Sequence, residues 1–513
     1  MTSPFAPLDW TVVALYLALL AATGWASSRR AARSAGDYFL AGRSVPAWLA
    51  AISVLATTQS AATFLGAPDN SFRGDLSYLG VVLASIAAAL VVAHMLIPRF
   101  YAMRVSTVYE LLEARFDRRA MRSAGAMFLI GRVFSDGARV YLAGIALSMI
   151  AFSRIDAASV LLACAGLVAA SLVFTFRGGL KSVIWNDFVQ FVIYAGSAVA
   201  VLVFLRASIP LDTGDLVAAL RTAPGGVDKL RLFDVSTDLA RPFTVLAMIS
   251  GLLLLNIANA GLDQDTTQRL LASPDARTGA RGLILSALVS VPVIAVFVAI
   301  GLLLHIYYER PDLMGVDRAA ASSFAGEKVT IFMHYILTQL PAGLRGLVSV
   351  GVAAAAVSTV TSSLNSLSSV LVSDFYRPWR EKRGAVPDRH FVMAGRWGMA
   401  GFALALFAAA SVSLVWQRHS DMPLLEFALQ VMIFAYAGLL GVYFVALFTR
   451  RGTAPSAIGG MIGGFATVLL LQPFLLGPGG FAFPYQLVIG TIVSAAITAI
   501  PRGKHVTAAR ARD

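Results

Sequence analysis

Residues 351–375 read GVAAAAVSTVTSSLNSLSSVLVSDF. The run is long enough to cross a bilayer, for which about 20 residues suffice. It nevertheless carries hydroxyls at Ser358, Thr359, Thr361, Ser362, Ser363, Ser366, Ser368, Ser369 and Ser373. Ser358, Ser362, Ser366, Ser369 and Ser373 recur at steps of three and four, so a helix gathers them on one stripe. In hydrocarbon such a stripe must face protein, water or an ion, because an unsatisfied polar atom there costs several kcal/mol. For Ser366 to Ser373 the reading is close helix packing, where small residues and hydroxyls are common glue. For AAVSTVTS, Ala355 to Ser362, it is a cation site.

The rest of the chain fixes the class. Hydrophobic residues make up 58% of it and charged residues 13%, about half the charge of an ordinary soluble domain. The mean hydropathy is +0.75. This composition is that of an all-α integral membrane protein. Apolar segments of bilayer length run roughly 9–27, 44–66, 76–98, 122–152, 157–175, 181–206, 241–262, 279–306, 343–375, 391–417, 424–448, 454–473 and 481–500, about 13 transmembrane helices.

The net charge of +13 is a topology signal and implies no nucleic-acid partner. Arg29, Arg30, Arg33 and Arg43, then Arg99, Arg104, Arg115, Arg118, Arg119 and Arg122, then Arg377, Arg380, Lys382, Arg383 and Arg389 fall in alternate loops. With Arg502, Lys504, Arg510 and Arg512 in the tail, they place the N-terminus outside and the C-terminus inside. The first segment lacks a preceding basic residue and is not expected to be a cleaved signal. The lone cysteine, Cys164, sits in an apolar run, which excludes an intramolecular disulfide. No appended output domain is expected after residue 501.

Three further segments are polar at depth. Ala56 to Thr63 reads ATTQSAAT, with Gly66 and Pro68 expected to end that helix. A polar run at mid-membrane implies an opened backbone or a cavity lining. Arg132, Asp136 and Arg139 share one helical face beside Ser135. They read either as an internal ion network or as a site whose spare positive charge favours a carboxylate-bearing ligand, with Arg139 as the contact. Asp187 lies inside the sixth segment, where it suits cation binding, proton handling or the helix dipole. The seventh segment is polar and glycine-broken at NIANAG, 256–261. The two interrupted helices lie five spans apart, the spacing of two inverted five-helix repeats. An amphipathic stretch near Val329 to Leu340 is expected to cap the entrance, and a helix bearing Gly459, Gly460, Gly463 and Gly464 to serve packing.

DYFLAGRSVPAWLAAISVLATTQSAATFLGAP (37–68), YELLEARFD (109–117), GGLKSVIWNDFVQ (178–190), DQDTTQRLLA (263–272) and AAAAVSTVTSSLNSLSSVLVSDFY (353–376) together resemble the solute:sodium symporter family. The nearest resemblance is to its sialic-acid and galactose members, over nearly the whole chain. It implies a leucine-transporter-like fold in a single domain, residues 1–513. An extra helix would span 9–27, the two inverted repeats 44–206 and 241–448, and extra C-terminal helices 454–500.

The resemblance implies a Na+ site on the backbone oxygens of Ala56, Gln59 and Ala355 and the hydroxyls of Ser358 and Thr359. It implies a second on Asp187, Ser358, Thr361 and Ser362. Thr58, Ser60 and Thr63 match substrate-contacting positions, as does Asn256. The galactose-type amide and aromatic gate are replaced by Thr63 and Asn259, and the sialic-acid group's arginine by Ser135, with Arg132 and Arg139 a turn to either side.

The function expected is sodium-coupled import of a small polar solute such as a sialic acid or related sugar acid, by a monomer in the bacterial inner membrane. Alternatives are a neutral sugar or amino acid, or proton coupling through Asp187. A membrane enzyme is not expected. The histidines, among them His94, His305, His334, His390 and His419, are scattered without ligand spacing, and no nucleophile elbow is present.

Overall fold

The computed structural model describes residues 5–28, 34–176, 178–224, 226–316, 323–324, 327–328, 330–418, 423–472, 475 and 480–500. Among the described residues the regular structure is helical apart from one ladder of two-residue strands, Ser323–Phe324 with Glu327–Lys328, and two isolated bridges. Among the described residues eight helices are long and apolar enough to cross a membrane, or ten if each of two bent pairs counts as one span. Shorter apolar helices, Pro7–Thr23, Ala454–Leu470 and Phe483–Ala499, accompany them.

In chain order the elements that matter are α1 (Pro7–Ser28), α2 (Ala47–Thr58), α3 (Ala61–Arg73), α4 (Val81–Met95), α5 (Arg118–Phe152), α6 (Ala157–Thr175) and α7 (Gly179–Ala207). There follow α8 (Leu253–Gly261), α9 (Gln264–Leu271), α10 (Ala276–Glu309), α11 (Ile331–Thr338), α12 (Leu344–Val370), α13 (Asp388–Arg418), α14 (Leu424–Phe448), α15 (Ala454–Leu470) and α16 (Phe483–Ala499). The quoted hydroxyl-rich stretch is the heart of α12, which touches α1, α2, α3, α5, α6, α7, α9 and α13. Its serines and threonines from Ser358 to Ser369 are all buried in protein. That central position explains why an apolar span tolerates so many hydroxyls.

Both polar runs open the backbone, though not where the glycines and proline suggested. Gln59 and Ser60 are extended (φ −86°, ψ 116° and φ −117°, ψ 175°), so α2 and α3 are separate helices. Gly66 and Pro68 do not end the segment, since α3 continues to Arg73. Residues 256–261 are likewise unbroken within α8; the extended residue is Asp263, and the axis bends by 50° there. Asp263 caps α9 by accepting the Asp265 N–H at 2.8 Å, which a helix start requires more than a glycine does.

The stretch near 329–340 folds as α11, with Thr338 and Gln339 exposed, while Val329 lies outside the described residues. Ile331, Phe332, Met333, Tyr335, Ile336 and Leu337 of α11 are all buried. Asp69 Oδ1 accepts the Ile331 N–H at 3.1 Å, tying α11 to α3. The glycine-rich helix α15 packs as expected. A Cβ on Gly464 would sit 2.7 Å from Gly438 Cα of α14. Gly464→Ala is therefore expected to destabilise by about 1–3 kcal/mol through overpacking, read as a lower melting temperature.

Candidate ion and substrate site

The break between α2 and α3 faces α12. Ser358 Oγ lies 3.3 Å from the Ala56 carbonyl and donates to Asp187 Oδ1 at 2.7 Å. Thr359 Oγ1 donates to the Ala355 carbonyl at 3.0 Å. Gln59 is extended, although its N–H still donates to the Leu55 carbonyl at 2.8 Å, and it ends the helical ladder of α2. The Ala56, Gln59 and Ala355 carbonyls and the Ser358 and Thr359 hydroxyls are the uncharged oxygens expected around a sodium ion, and between α2 and α12 the structure brings Ser358 to Ala56. Losing one hydroxyl ligand should matter. Ser358→Ala is expected to raise the half-saturating sodium concentration about tenfold, roughly 1.4 kcal/mol. A sodium titration of uptake reads it.

Asp187 of α7 is fully buried and sits one step further in. Besides Ser358 it accepts from Ser53 of α2, and Arg269 Nη2 approaches its Oδ2 at 3.4 Å. Arg269 of α9 was not assigned a role from the sequence, although it lies within the DQDTTQRLLA stretch. It is fully buried. Its Nε donates to Ser53 Oγ at 2.9 Å, its Nη1 pairs with Asp265 at 2.9 Å, and its Nη2 donates to Ser362 Oγ. Thr361 Oγ1 donates to the Ser358 carbonyl at 3.0 Å. The residues expected around a second cation are thus gathered, with a guanidinium among them.

The arginine face of α5 continues this network. Arg132 Nε lies 2.6 Å from Asp136, its Nη1 is 2.7 Å from Asp263, and its Nη2 contacts Asp265. Tyr436 of α14 donates to Asp263, and Ser363 of α12 to Asp136. The spare positive charge expected for the Arg132–Asp136–Arg139 triad is therefore absent: Asp263 and Asp265 consume it. Arg132, Arg139 and Arg269 face Asp136, Asp187, Asp263 and Asp265, so three cations meet four carboxylates and the formal sum is −1.

Beside the break lies a cavity of about 140 Å³. Thr58, Gln59, Ser60, Thr63, Arg139 and Asn256 line it, as does Asn259. Five of the six residues expected to touch substrate thus share one space. Ser135 does not: it faces a separate small void with Arg132, Asp263 and Tyr436. Arg139 is the cavity's basic group. It is held by Asp136 Oδ1 at 3.3 Å and by Met432 Sδ at 2.9 Å.

Discontinuous helices beside a cavity are an arrangement that secondary transporters share. Residues 38–464 match the sodium:solute symporter family, and the chain belongs to that family. It is 30% identical over 476 residues to the sodium/sialic acid symporter SiaT of Proteus mirabilis, covering 91% of this chain and 89% of that one. It is 28% identical over 496 residues to the sodium/sialic acid symporter NanT of Aliivibrio fischeri, with 95% and 92% covered. A solved structure of a Na+-coupled sialic acid symporter, substrate-bound and outward-open with a novel Na+-site, superposes with a TM-score of 0.81. The identity there is 26%, and 97% of each chain is covered. The protein is accordingly a membrane transporter that uses sodium and a small-molecule solute, and it is not an enzyme.

Proposed function

We propose that this protein imports a carboxylate-bearing sugar acid of the sialic-acid kind together with two sodium ions, by alternating access, as a monomer of the inner membrane. The chain would cross the membrane 13 times, N-terminus out and C-terminus in. Residues 44–206 and 241–448 would be its inverted repeats, flanked by 9–27 and 454–500.

One observation carries the coupling. The Gln59–Ser60 opening contributes to the cavity lining, and the same opening frees the backbone beside Ser358. The first sodium, on Ala56, Gln59, Ala355, Ser358 and Thr359, would tie α2 to α12. In doing so it orders Thr58, Ser60 and Thr63 for the solute. Each ligand then raises the other's affinity by the same factor.

The formal charge of −1 supports a second cation at Asp187, because an uncompensated buried charge is costly. Ser358, Thr361 and Ser362 would complete its shell, with Arg269 leaning onto Asp265 to make room. Each charge moved through 100 mV adds about 2.3 kcal/mol of driving force.

Arg139, with Asn256 across the cavity, would receive the carboxylate in place of the arginine that Ser135 lacks. Arg139→Gln is expected to weaken a carboxylate substrate by about ten- to a hundredfold, the worth of a charged hydrogen bond. A sodium-dependent thermal shift with a panel of sialic acids, sugar acids, neutral sugars and amino acids names the solute, since ligands stabilise the folded state by mass action. A shift with neutral sugars alone would overturn the carboxylate assignment.

A further inference from the structure

A groove of about 1000 Å³ opens on the side of the bundle, away from the ion and substrate site. Its walls are the end of α12, the start of α13 and Arg122 of α5. Helix α12 does not stop at Val370 but passes through a π turn, Leu371–Tyr376, before Arg377–Glu381. An i→i+5 turn widens a helix locally, and Leu371, Phe375, Tyr376 and Trp379 of this stretch line the groove. Opposite them stand Met393 and Trp397, and Trp397 keeps 68% of its surface exposed. The volume is at the upper end of small-molecule pockets, about 300–1,000 Å³, and the lining is almost wholly apolar.

The segment that supplies Tyr376, Trp379 and His390 to this lining is, in contrast, basic. Residues 376–390 hold Arg377, Arg380, Lys382, Arg383 and Arg389 against Glu381 and Asp388, five positive charges less two, or +3. Arg377 pairs with Glu381 and Asp388. Arg383 lies over the Trp379 ring, 3.8 Å from its centroid. Arg122 lies inside the groove wall with its Nε buried and without a hydrogen-bond partner among the described residues. Buried Asp374, whose Oδ1 accepts from Thr107 at 2.7 Å, is a carboxylate within electrostatic reach of Arg122.

We propose that this groove binds an anionic phospholipid, its acyl chain along Phe375, Met393 and Trp397 and its phosphate at Arg122 and the basic segment. Basic pockets between transmembrane helices on the cytoplasmic side are suited to acidic headgroups, and tryptophans mark the membrane interface. A second copy of the chain fits less well. A two-fold contact would set the same basic segment against itself.

The test compares phosphatidylglycerol with phosphatidylcholine of matched acyl chains, added to the detergent-purified full chain. Native mass spectrometry and melting temperature are the readouts. The expected result is preferential retention of phosphatidylglycerol and a larger upward shift. Arg122→Gln should abolish the preference while leaving the phosphatidylcholine response intact. Trp397→Ala, on the exposed lip, should reduce retention of both lipids without needing Arg122 to be replaced. Equal retention of the two lipids by the unaltered protein would overturn the proposal. So would a preference that survives Arg122→Gln, or a dimer that Trp397→Ala dissociates.

Discussion

Arg132→Met is expected to leave little folded protein, and to lower the melting temperature of whatever remains more than any other substitution considered. Arg132 is buried and faces Asp136, Asp263 and Asp265 at once. Breaking one buried ion pair costs about 3–5 kcal/mol, comparable with the whole stability of many domains, about 5–15 kcal/mol. Here three carboxylates lose a partner together. Asp136 keeps Arg139 and Asp265 keeps Arg269, whereas Asp263 is left with the uncharged Tyr436 hydroxyl. The double change Arg132→Met with Asp263→Asn should recover part of the loss by removing one orphaned charge. Expression level and thermal melting in detergent check both variants. A melting temperature unchanged by Arg132→Met would mean that the network does not hold α5, α9 and α14 together.

Asp187→Asn is the second large effect, and it separates stability from coupling. Arg269 keeps its pair with Asp265 at 2.9 Å, so the fold should survive with a modest loss. The ion side changes more. The formal charge of −1 disappears, Ser358 loses a carboxylate acceptor, and the proposed second sodium site loses its only carboxylate. The expected result is a sodium dependence of uptake that falls from a Hill coefficient near two to near one. A rise in half-saturation of at least about tenfold should accompany it, roughly 1.4 kcal/mol. An unaltered sodium curve alongside a lowered melting temperature would confine Asp187 to a structural role beside Arg269.

These two residues also show what the sequence makes legible. Hydroxyls inside an apolar span stand out, because hydrocarbon leaves them few alternatives. Hence the runs Ala355–Ser362 and Ala56–Thr63 stand out from their residues alone, whereas the separate roles of Ser358, Thr359, Thr361 and Ser362, and of Thr58, Ser60 and Thr63, come from the family resemblance. The first backbone opening was visible for the same reason, although its position at Gln59–Ser60 rather than at Gly66 or Pro68 was not. Asp263, Asp265 and Arg269 were harder to place. They lie in a polar stretch that resembles a helix leaving the membrane, and only tertiary packing carries α9 back into the protein. A charge balance held the missing signal. Arg132 and Arg139 outnumber Asp136 on their own helix face, and buried arginines need carboxylate partners. DQD at 263–265 was the nearest uncommitted supply.

Ser135 illustrates the opposite limit. A family position translates into a contact only if the side chain still reaches the cavity, and a serine one turn from Arg139 faces a different void. Which residue meets a carboxylate is therefore a matter of reach from α5, and Arg139 alone on that face borders the cavity beside Thr58 and Ser60.

The central claim, sodium-coupled import, is tested most directly by uptake of labelled sialic acid into proteoliposomes with an inward sodium gradient at equal pH on both sides. The expected result is transient accumulation above the external concentration, abolished when sodium is equal across the membrane and enhanced by a negative interior. Accumulation driven by a pH gradient without sodium would contradict it and would turn Asp187 into a proton carrier.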